Sequence, residues 1–211
     1  MPLATGGGLR VSGPLPRTAS RRRDALLRQH WDHGLVTLQP TLFLMVGLPA
    51  AGKSTVAREI ESTHRALRLS PDEWMIPLFG ESDADGRRDL LEGLLIDVAV
   101  RALHLGMNVI LDFGLWGRDE RTALRTFGEA AGAHVVLRYV DVDEEAQAGR
   151  IGERWAADPG ATFPLSPTDL VRWRAQFEVP TPDELAGSYL DEPPSGSSWA
   201  EWARTRWPSL R

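Results

Sequence analysis

The stretch Gly47-Leu-Pro-Ala-Ala-Gly-Lys-Ser-Thr55 decides how this chain folds. Its spacing, G-x-x-x-x-G-K-[ST], is that of the phosphate-binding loop, in which backbone N–H groups and one lysine surround phosphate oxygens. Lys53 is the only lysine in the sequence, and the other strongly basic side chains are all arginines. Because an ammonium is a compact charge on a flexible stem, a planar guanidinium is a poor substitute for it at such a site.

The residues around this loop match the strand, turn and helix that the motif requires. The apolar run from Thr41 to Val46 predicts a buried strand, and residues 55–65 predict a helix. We therefore expect a site for the phosphates of ATP, with Lys53 on the outer phosphates and the Ser54 hydroxyl on Mg²⁺. The predicted nucleotide-binding residues are Gly47, Leu48, Pro49, Ala50, Ala51, Gly52, Lys53, Ser54 and Thr55.

Strands and helices alternate along the rest of the chain. Further strands are predicted at 66–70, 107–111 and 134–140, and further helices at 89–105, 118–131, 143–157 and 166–177. This alternation predicts an α/β fold of the P-loop NTPase type, with a parallel sheet, helices on both of its faces and a short lid.

Composition divides the chain into four segments. Residues 1–19 are rich in Gly and Pro and are predicted to be disordered, and residues 20–40 are predicted to form a helical extension that includes a basic stretch. Residues 41–185 are predicted to form the P-loop domain, and residues 186–211 an irregular tail with a short terminal helix.

Charge and composition restrict the class of protein. The 211 residues carry a net charge of −5 and contain no cysteine, which excludes disulfides and thiolate metal sites. The acidic balance argues against a long nucleic-acid interface, and no apolar stretch has the length of a membrane span or a secretory signal. We therefore expect a cytoplasmic protein without membrane contact. The single lysine also excludes the Asn-Lys-x-Asp guanine-reading motif of Ras-type GTPases, so a small phosphotransferase fits best.

Two aspartates follow predicted strands. Asp72, in Ser70-Pro-Asp-Glu73, would lie beside the phosphate loop, where it can accept a proton from an attacking hydroxyl. The same four residues also make a good helix start, and both roles can coexist. Asp112 follows the apolar run Val109-Ile-Leu111, the Walker B arrangement that helps to order Mg²⁺.

Several other side chains are candidates for the site. Arg150 and Arg154 share one helix face and can neutralise phosphate charge as lid arginines, or they can pair with nearby glutamates on a solvated face. Arg118 and Arg121 begin a helix whose dipole they oppose, which indicates another role such as anion contact. Tryptophans flank these motifs and can line an acceptor pocket or pack in the core: Trp74, Trp116 and Trp155.

These residues together resemble the AAA_33-type P-loop kinases, a group that includes polynucleotide kinases, zeta-toxin-like kinases and chloramphenicol phosphotransferase. The resemblance covers residues 41–184. It implies an ATP·Mg²⁺ site at Lys53, Ser54 and Thr55, a hydroxyl-activating base at Asp72 and a Walker B acid at Asp112. It also implies a lid arginine at Arg150 or Arg154.

One departure from this family affects the predicted acceptor. Polynucleotide kinases carry Ser-x-Asp-x-x-Arg, and in this chain the arginine position is Met75. We therefore expect an ATP-dependent kinase whose acceptor is a small hydroxylated molecule such as an antibiotic, nucleoside, sugar or metabolite. The alternatives are a kinase of nucleic-acid 5′-hydroxyls and a non-catalytic ATP-binding regulator.

Overall fold

A computed structural model describes residues 39–80, 85–157, 167–188 and 191–211. Within these ranges, the side chains of five residues are not described: Arg154, Trp155, Ala157, Pro167 and Ser195. The predicted disordered segment 1–19 and all but the last two residues of the predicted helical extension 20–40 lie outside the described residues.

One parallel sheet forms the centre of the described structure. Its strands are β1 (Thr41–Val46), β2 (Leu67–Leu69), β3 (Val109–Gly114) and β4 (His134–Tyr139). They lie in the order β2-β3-β1-β4, with β1 paired to both β3 and β4. Because all the strands are parallel, their carboxyl ends meet at one edge of the sheet, where ligands of such folds bind.

Helices connect the strands. The described helices are α1 (Lys53–His64), α2 (Pro71–Phe79), α3 (Arg87–His104), α4 (Arg118–Ala130), α5 (Glu144–Ala157), α6 (Pro167–Gln176), α7 (Pro182–Ala186) and α8 (Trp199–Arg206). A single 3₁₀ turn (Pro194–Gly196) precedes α8. None of the described helices is long and apolar enough to cross a membrane.

The two faces of the sheet are covered by different helices. Alternate β1 residues point to opposite faces, so Phe43 and Met45 pack against α1, whereas Leu42 and Leu44 pack in a larger core with α3, α4 and α8. The α/β fold with a parallel sheet and helices on both faces is therefore confirmed.

The C-terminal residues are part of this larger core. Trp207 is fully buried, and Trp199 and Ala203 of α8 are buried beside it. Ser198 caps α8 by accepting a hydrogen bond from the Glu201 N–H, which explains why the helix begins there. The predicted irregular tail therefore contains a short helix that packs on the α3 and α4 side of the sheet.

One predicted strand needs correction. The strand predicted at 107–111 lies at 109–114, because Met107 instead hydrogen-bonds to Ala102 at the end of α3 and Gly114 pairs with β1. Asp112 therefore lies inside β3 rather than after it. The helix start predicted at Ser70-Pro-Asp-Glu73 is confirmed, since Pro71 begins α2 with Ser70 at its N-cap position.

Candidate active site

The phosphate loop connects β1 to α1 through a sharply curled backbone. Gly47 has φ 145°, and a Cβ at this position would lie 2.5 Å from the Val140 carbonyl oxygen. Any other residue would therefore collide with the backbone that follows β4. Gly52 has φ 102° and precedes α1 without a side-chain cap. The Thr55 and Val56 N–H groups both donate to the Gly52 carbonyl, and the start of a helix attracts a phosphate through its backbone dipoles.

The Lys53 side chain folds back over the loop that precedes it. Its Nζ donates a hydrogen bond to the Leu48 carbonyl oxygen at 2.8 Å. The amine therefore lies above the curl of the loop, where it can reach an anion held by the loop amides.

Two side chains of helix α5 hold the phosphate loop by donating hydrogen bonds to carbonyl groups of the loop. Gln147, which is completely buried, donates from Nε2 to the Pro49 carbonyl at 2.9 Å. Arg150 donates from NH1 to the Ala51 carbonyl at 2.9 Å and to the Ala50 carbonyl at 3.3 Å. Because C=O and N–H point in opposite directions across a trans peptide, these contacts turn the following N–H groups away from α5.

Of the two lid arginines predicted from the sequence, the structure describes the side chain of only one. Arg150 reaches the phosphate loop, so it lies within the site, and its guanidinium contacts loop carbonyls. Arg154 belongs to α5, and its side chain is outside the described part of the structure.

Asp112 lies on the face of the sheet that α1 covers. Ile110 packs against α1, and Asp112, two residues further along β3, points to the same face because side chains alternate along a strand. The register between β1 and β3 is irregular beside Asp112. The carboxylate is buried and accepts a hydrogen bond from Arg68 NH1 at 3.1 Å. Arg68 also pairs with Glu61 and Glu73, so this arginine, which no sequence motif identifies, is shared among three carboxylates.

Ser54 and Asp112 fit the ligand preferences of Mg²⁺. Ser54 is the second residue of α1, which begins on the face where Asp112 lies. Mg²⁺ is usually held by one or two protein oxygens, with phosphates and waters completing the shell. The described residues contain no cluster of three or more His, Cys, Asp or Glu side chains able to hold a metal.

Asp72 lies in the first turn of α2, just beyond the carboxyl end of β2. Its side chain is 72% exposed and accepts a hydrogen bond from Arg88 NH1 at 2.8 Å. Asp72 therefore lies on the loop edge of the sheet, open to a substrate and oriented by an arginine from the next helix. No recognisable motif surrounds Arg88, so the sequence alone does not identify it as a site residue.

The proposed anion contact by Arg121 is wrong. Arg121 is 1% exposed and pairs with Glu184 at 2.8 Å, so an external anion cannot reach it. Its NH1 also donates to the carbonyls of Leu115 and Glu178, and Leu115 has the strained φ of 44°. Arg121 thus holds the turn after β3, while Arg118 pairs with Asp191.

Burial of Glu184 opposes its ionisation, but the hydrogen bonds from Arg121 and the Thr181 N–H outweigh that effect. The pKa of Glu184 is therefore lowered below its ordinary value.

The three flanking tryptophans differ in their surroundings. Trp116 contacts Trp173 of α6 with ring centroids 5.9 Å apart, in a cluster that includes Leu48 of the phosphate loop. Trp74 is 49% exposed on α2. The side chain of Trp155 is outside the described part of the structure.

The fold and this loop define a nucleotide-binding protein of the P-loop kinase class. A model of the AAA_33 family, described as an AAA domain, matches residues 42–180. The chain therefore belongs to the AAA_33 family, which confirms the resemblance seen in the sequence. Among curated proteins, no sequence matches significantly.

Solved structures show the same fold. A protein of Chloroflexus aurantiacus, provisionally assigned as a kinase, is 24% identical with a TM-score of 0.55, over 70% of this chain and 80% of that one. Kti12 of Chaetomium thermophilum, solved with ADP-AlF3, is 19% identical with a TM-score of 0.53, over 81% of this chain and 99% of that one.

A chain of the Pnkp1/Rnl/Hen1 RNA repair complex is 20% identical with a TM-score of 0.52, over 65% of this chain. The present chain spans only 44% of that protein's length. At these identities the likeness shows the fold alone.

Proposed function

We propose that this protein is an ATP-dependent kinase that transfers the γ-phosphoryl group to a hydroxyl of a small molecule. One observation carries the proposal: the phosphate loop and the open, arginine-bound carboxylate of Asp72 lie at the same edge of the sheet. A bound triphosphate and an acceptor hydroxyl can meet there.

The loop side of the site binds the nucleotide. Lys53 and the N–H groups at the start of α1 contact the outer phosphates. Ser54 and Asp112 are the residues that would hold Mg²⁺, with Asp112 acting directly or through a water. When bound, Mg²⁺ neutralises charge on the phosphate oxygens.

Asp72 acts on the acceptor. Arg88 occupies Oδ1, and the other carboxylate oxygen accepts the proton of the acceptor hydroxyl. The hydroxyl oxygen bonds to the γ-phosphorus as the bond to the β–γ bridging oxygen breaks, and ADP leaves with that electron pair. Arg150 supports the loop by hydrogen bonds to the loop carbonyls. We assign to Arg154, one turn further along α5, the neutralisation of the negative charge that develops on the transferred phosphoryl group.

A small acceptor fits the surface better than a nucleic acid does. The net charge is −5, whereas a nucleic-acid interface needs a basic surface. Met75, at the position of the arginine in Ser-x-Asp-x-x-Arg, is completely buried and cannot contact an acceptor.

The test is a screen of ATP consumption against antibiotics, nucleosides, sugars and hydroxylated metabolites, with mass detection of an added phosphate. A 5′-hydroxyl oligonucleotide is one arm, and Asp72→Asn protein is the control for contaminating kinases. We expect at least one small compound to gain the mass of one phosphoryl group with the wild type only. Transfer to the oligonucleotide alone would establish the nucleic-acid alternative, and ATP binding without any transfer would favour a regulator.

A further inference from the structure

The contact between Asp72 and Arg88 is too exposed to hold itself in place. Ion pairs at a protein surface contribute little to stability, because solvent screens them and both side chains lose rotamer freedom. Asp72 is the exposed partner, and the Arg88 side chain is 24% exposed. A fixed orientation of Asp72 therefore requires that something else restrains Arg88.

Glu92 supplies that restraint from inside the protein. It lies one turn along α3 from Arg88, and its Oε1 accepts a hydrogen bond from Arg88 Nε at 3.0 Å. The guanidinium is thus held on two sides, by buried Glu92 through Nε and by Asp72 through NH1. Because the guanidinium is planar, fixing Nε also fixes the direction of NH1.

The second oxygen of Glu92 is held by the C-terminal segment (residues 199–211). Oε2 accepts the indole N–H of Trp207 at 2.9 Å and lies 3.7 Å from Arg206 NH2. The Trp207 ring is completely buried, so it cannot move to follow Glu92. Arg206 is itself held by Glu120 at 2.7 Å and by Asp89.

The burial of Glu92 makes these donors necessary. Burial raises the pKa of Glu92, although the charges of Arg88 and Arg206 and the Trp207 hydrogen bond oppose that shift. Removing a donor from a buried carboxylate is costly, so Glu92 and its three donors stabilise one arrangement of these side chains.

We propose that Trp207 is a positioning residue for the active site, acting through Glu92 and Arg88 on Asp72. The C-terminal segment thereby sets the orientation of the Asp72 carboxylate, although the two are far apart along the chain. The statement about catalysis rests on the proposed function, whereas the coupling from Trp207 to Arg88 does not.

A direct test follows the Arg88 guanidinium by NMR in the full chain without ligand. The Nε–H signal is assigned by its loss in Arg88→Lys, and its hydrogen exchange is measured in the wild type and in Trp207→Phe. The substitution keeps an aromatic ring but removes the N–H that reaches Glu92. We expect exchange at Arg88 to become about tenfold faster, as loss of roughly one hydrogen bond implies.

The neighbouring ring provides a matched control. Trp202 packs edge-on against Trp207 with ring centroids 5.9 Å apart, but the N–H at Glu92 belongs to Trp207. Trp202→Phe should leave exchange at Arg88 unchanged. Equal exchange in the wild type and Trp207→Phe, or an equal increase in both tryptophan variants, would overturn the coupling. If Trp207→Phe does not fold, Trp207→Met, which fills space but also lacks the indole N–H, replaces it with the same expectation.

The second test uses turnover with ATP and the acceptor found in the screen. Trp207→Phe should lower kcat about fivefold to tenfold with the KM for ATP unchanged, since the loop is untouched. The same substitution in an Asp72→Asn background should have no further effect, because its route to the reaction has been removed. An equal factor in both backgrounds would show a merely structural role. If no acceptor is phosphorylated while Arg88 responds, the proposed function fails and the coupling stands.

Discussion

The phosphate loop and Asp72 lie at one edge of the sheet but are held by different means. The loop is held through its backbone, by the close approach of Gly47 to Val140 and by the carbonyl contacts from α5. Asp72 is an exposed side chain held by Arg88, another side chain. Nucleotide binding should therefore depend mainly on backbone geometry, whereas the proposed activation of the acceptor should depend on single side chains that can be changed separately.

Asp72→Asn gives the strongest test of this difference between the phosphate loop and Asp72. We expect turnover to fall about 10²- to 10⁴-fold, because the amide cannot accept the hydroxyl proton. Affinity for a non-hydrolysable ATP analogue, measured by titration calorimetry, should stay within twofold. Turnover within a few-fold of the wild type would remove Asp72 from the mechanism.

Lys53→Ala should impair both nucleotide binding and turnover. Loss of the ammonium should lower turnover about 10²- to 10³-fold, the range for removing one donor to developing charge, and should also weaken nucleotide binding. Lys53→Arg is the matched control, and we expect it to remain impaired because the guanidinium is a different shape. Unchanged ATP affinity in Lys53→Ala would mean that the nucleotide binds elsewhere.

A third region, the buried pair of Arg121 and Glu184, should affect stability rather than binding. Glu184→Gln should lower the free energy of unfolding at pH 7 by about 2 kcal/mol, because the hydrogen bonds to Arg121 lose their charge assistance. Denaturant titration measures this change.

The stability difference should also depend on pH with a defined sign. The pKa of Glu184 is lowered from the ordinary 4.5, so its ionisation stabilises the fold above that pH. The contribution is lost as pH falls through the folded-state pKa, and the gap between wild type and Glu184→Gln should narrow in acid. A gap that stays constant or widens would show that ionised Glu184 does not stabilise the fold.

The smallest expected effect belongs to Arg150→Ala. Two loop carbonyls lose a charged donor, so affinity for the ATP analogue should fall about tenfold. Turnover at saturating ATP should stay within a few-fold. The opposite result, intact affinity with a large loss of turnover, would make Arg150 the arginine that stabilises the transferred phosphate.

The two regions also differ in how far the sequence predicts them. The P-loop motif and the apolar run of β1 predict the strand, turn and helix because each residue acts on its own backbone. Asp72 and Asp112 could be found for a related reason, since parallel strands bring their carboxyl ends to one edge.

The partners of these residues could not be predicted. Arg68 reaches Asp112 from 44 positions away along the chain, and Trp207 reaches Glu92 from 115 positions away. The first contact depends on which strands lie side by side, and the second on how the C-terminal segment packs against α3; local patterns encode neither. Arg121 was misinterpreted for the same reason, because its partner Glu184 lies on a distant helix.

The central claim is most directly tested by a crystal structure of the chain with Mg²⁺ and a non-hydrolysable ATP analogue. We predict that the outer phosphates contact the N–H groups of residues 50–55, with the Lys53 amine moved from the Leu48 carbonyl onto phosphate oxygens. The γ-phosphate should face the carboxylate of Asp72. Phosphates bound away from this loop, or a γ-phosphate directed away from Asp72, would contradict the account.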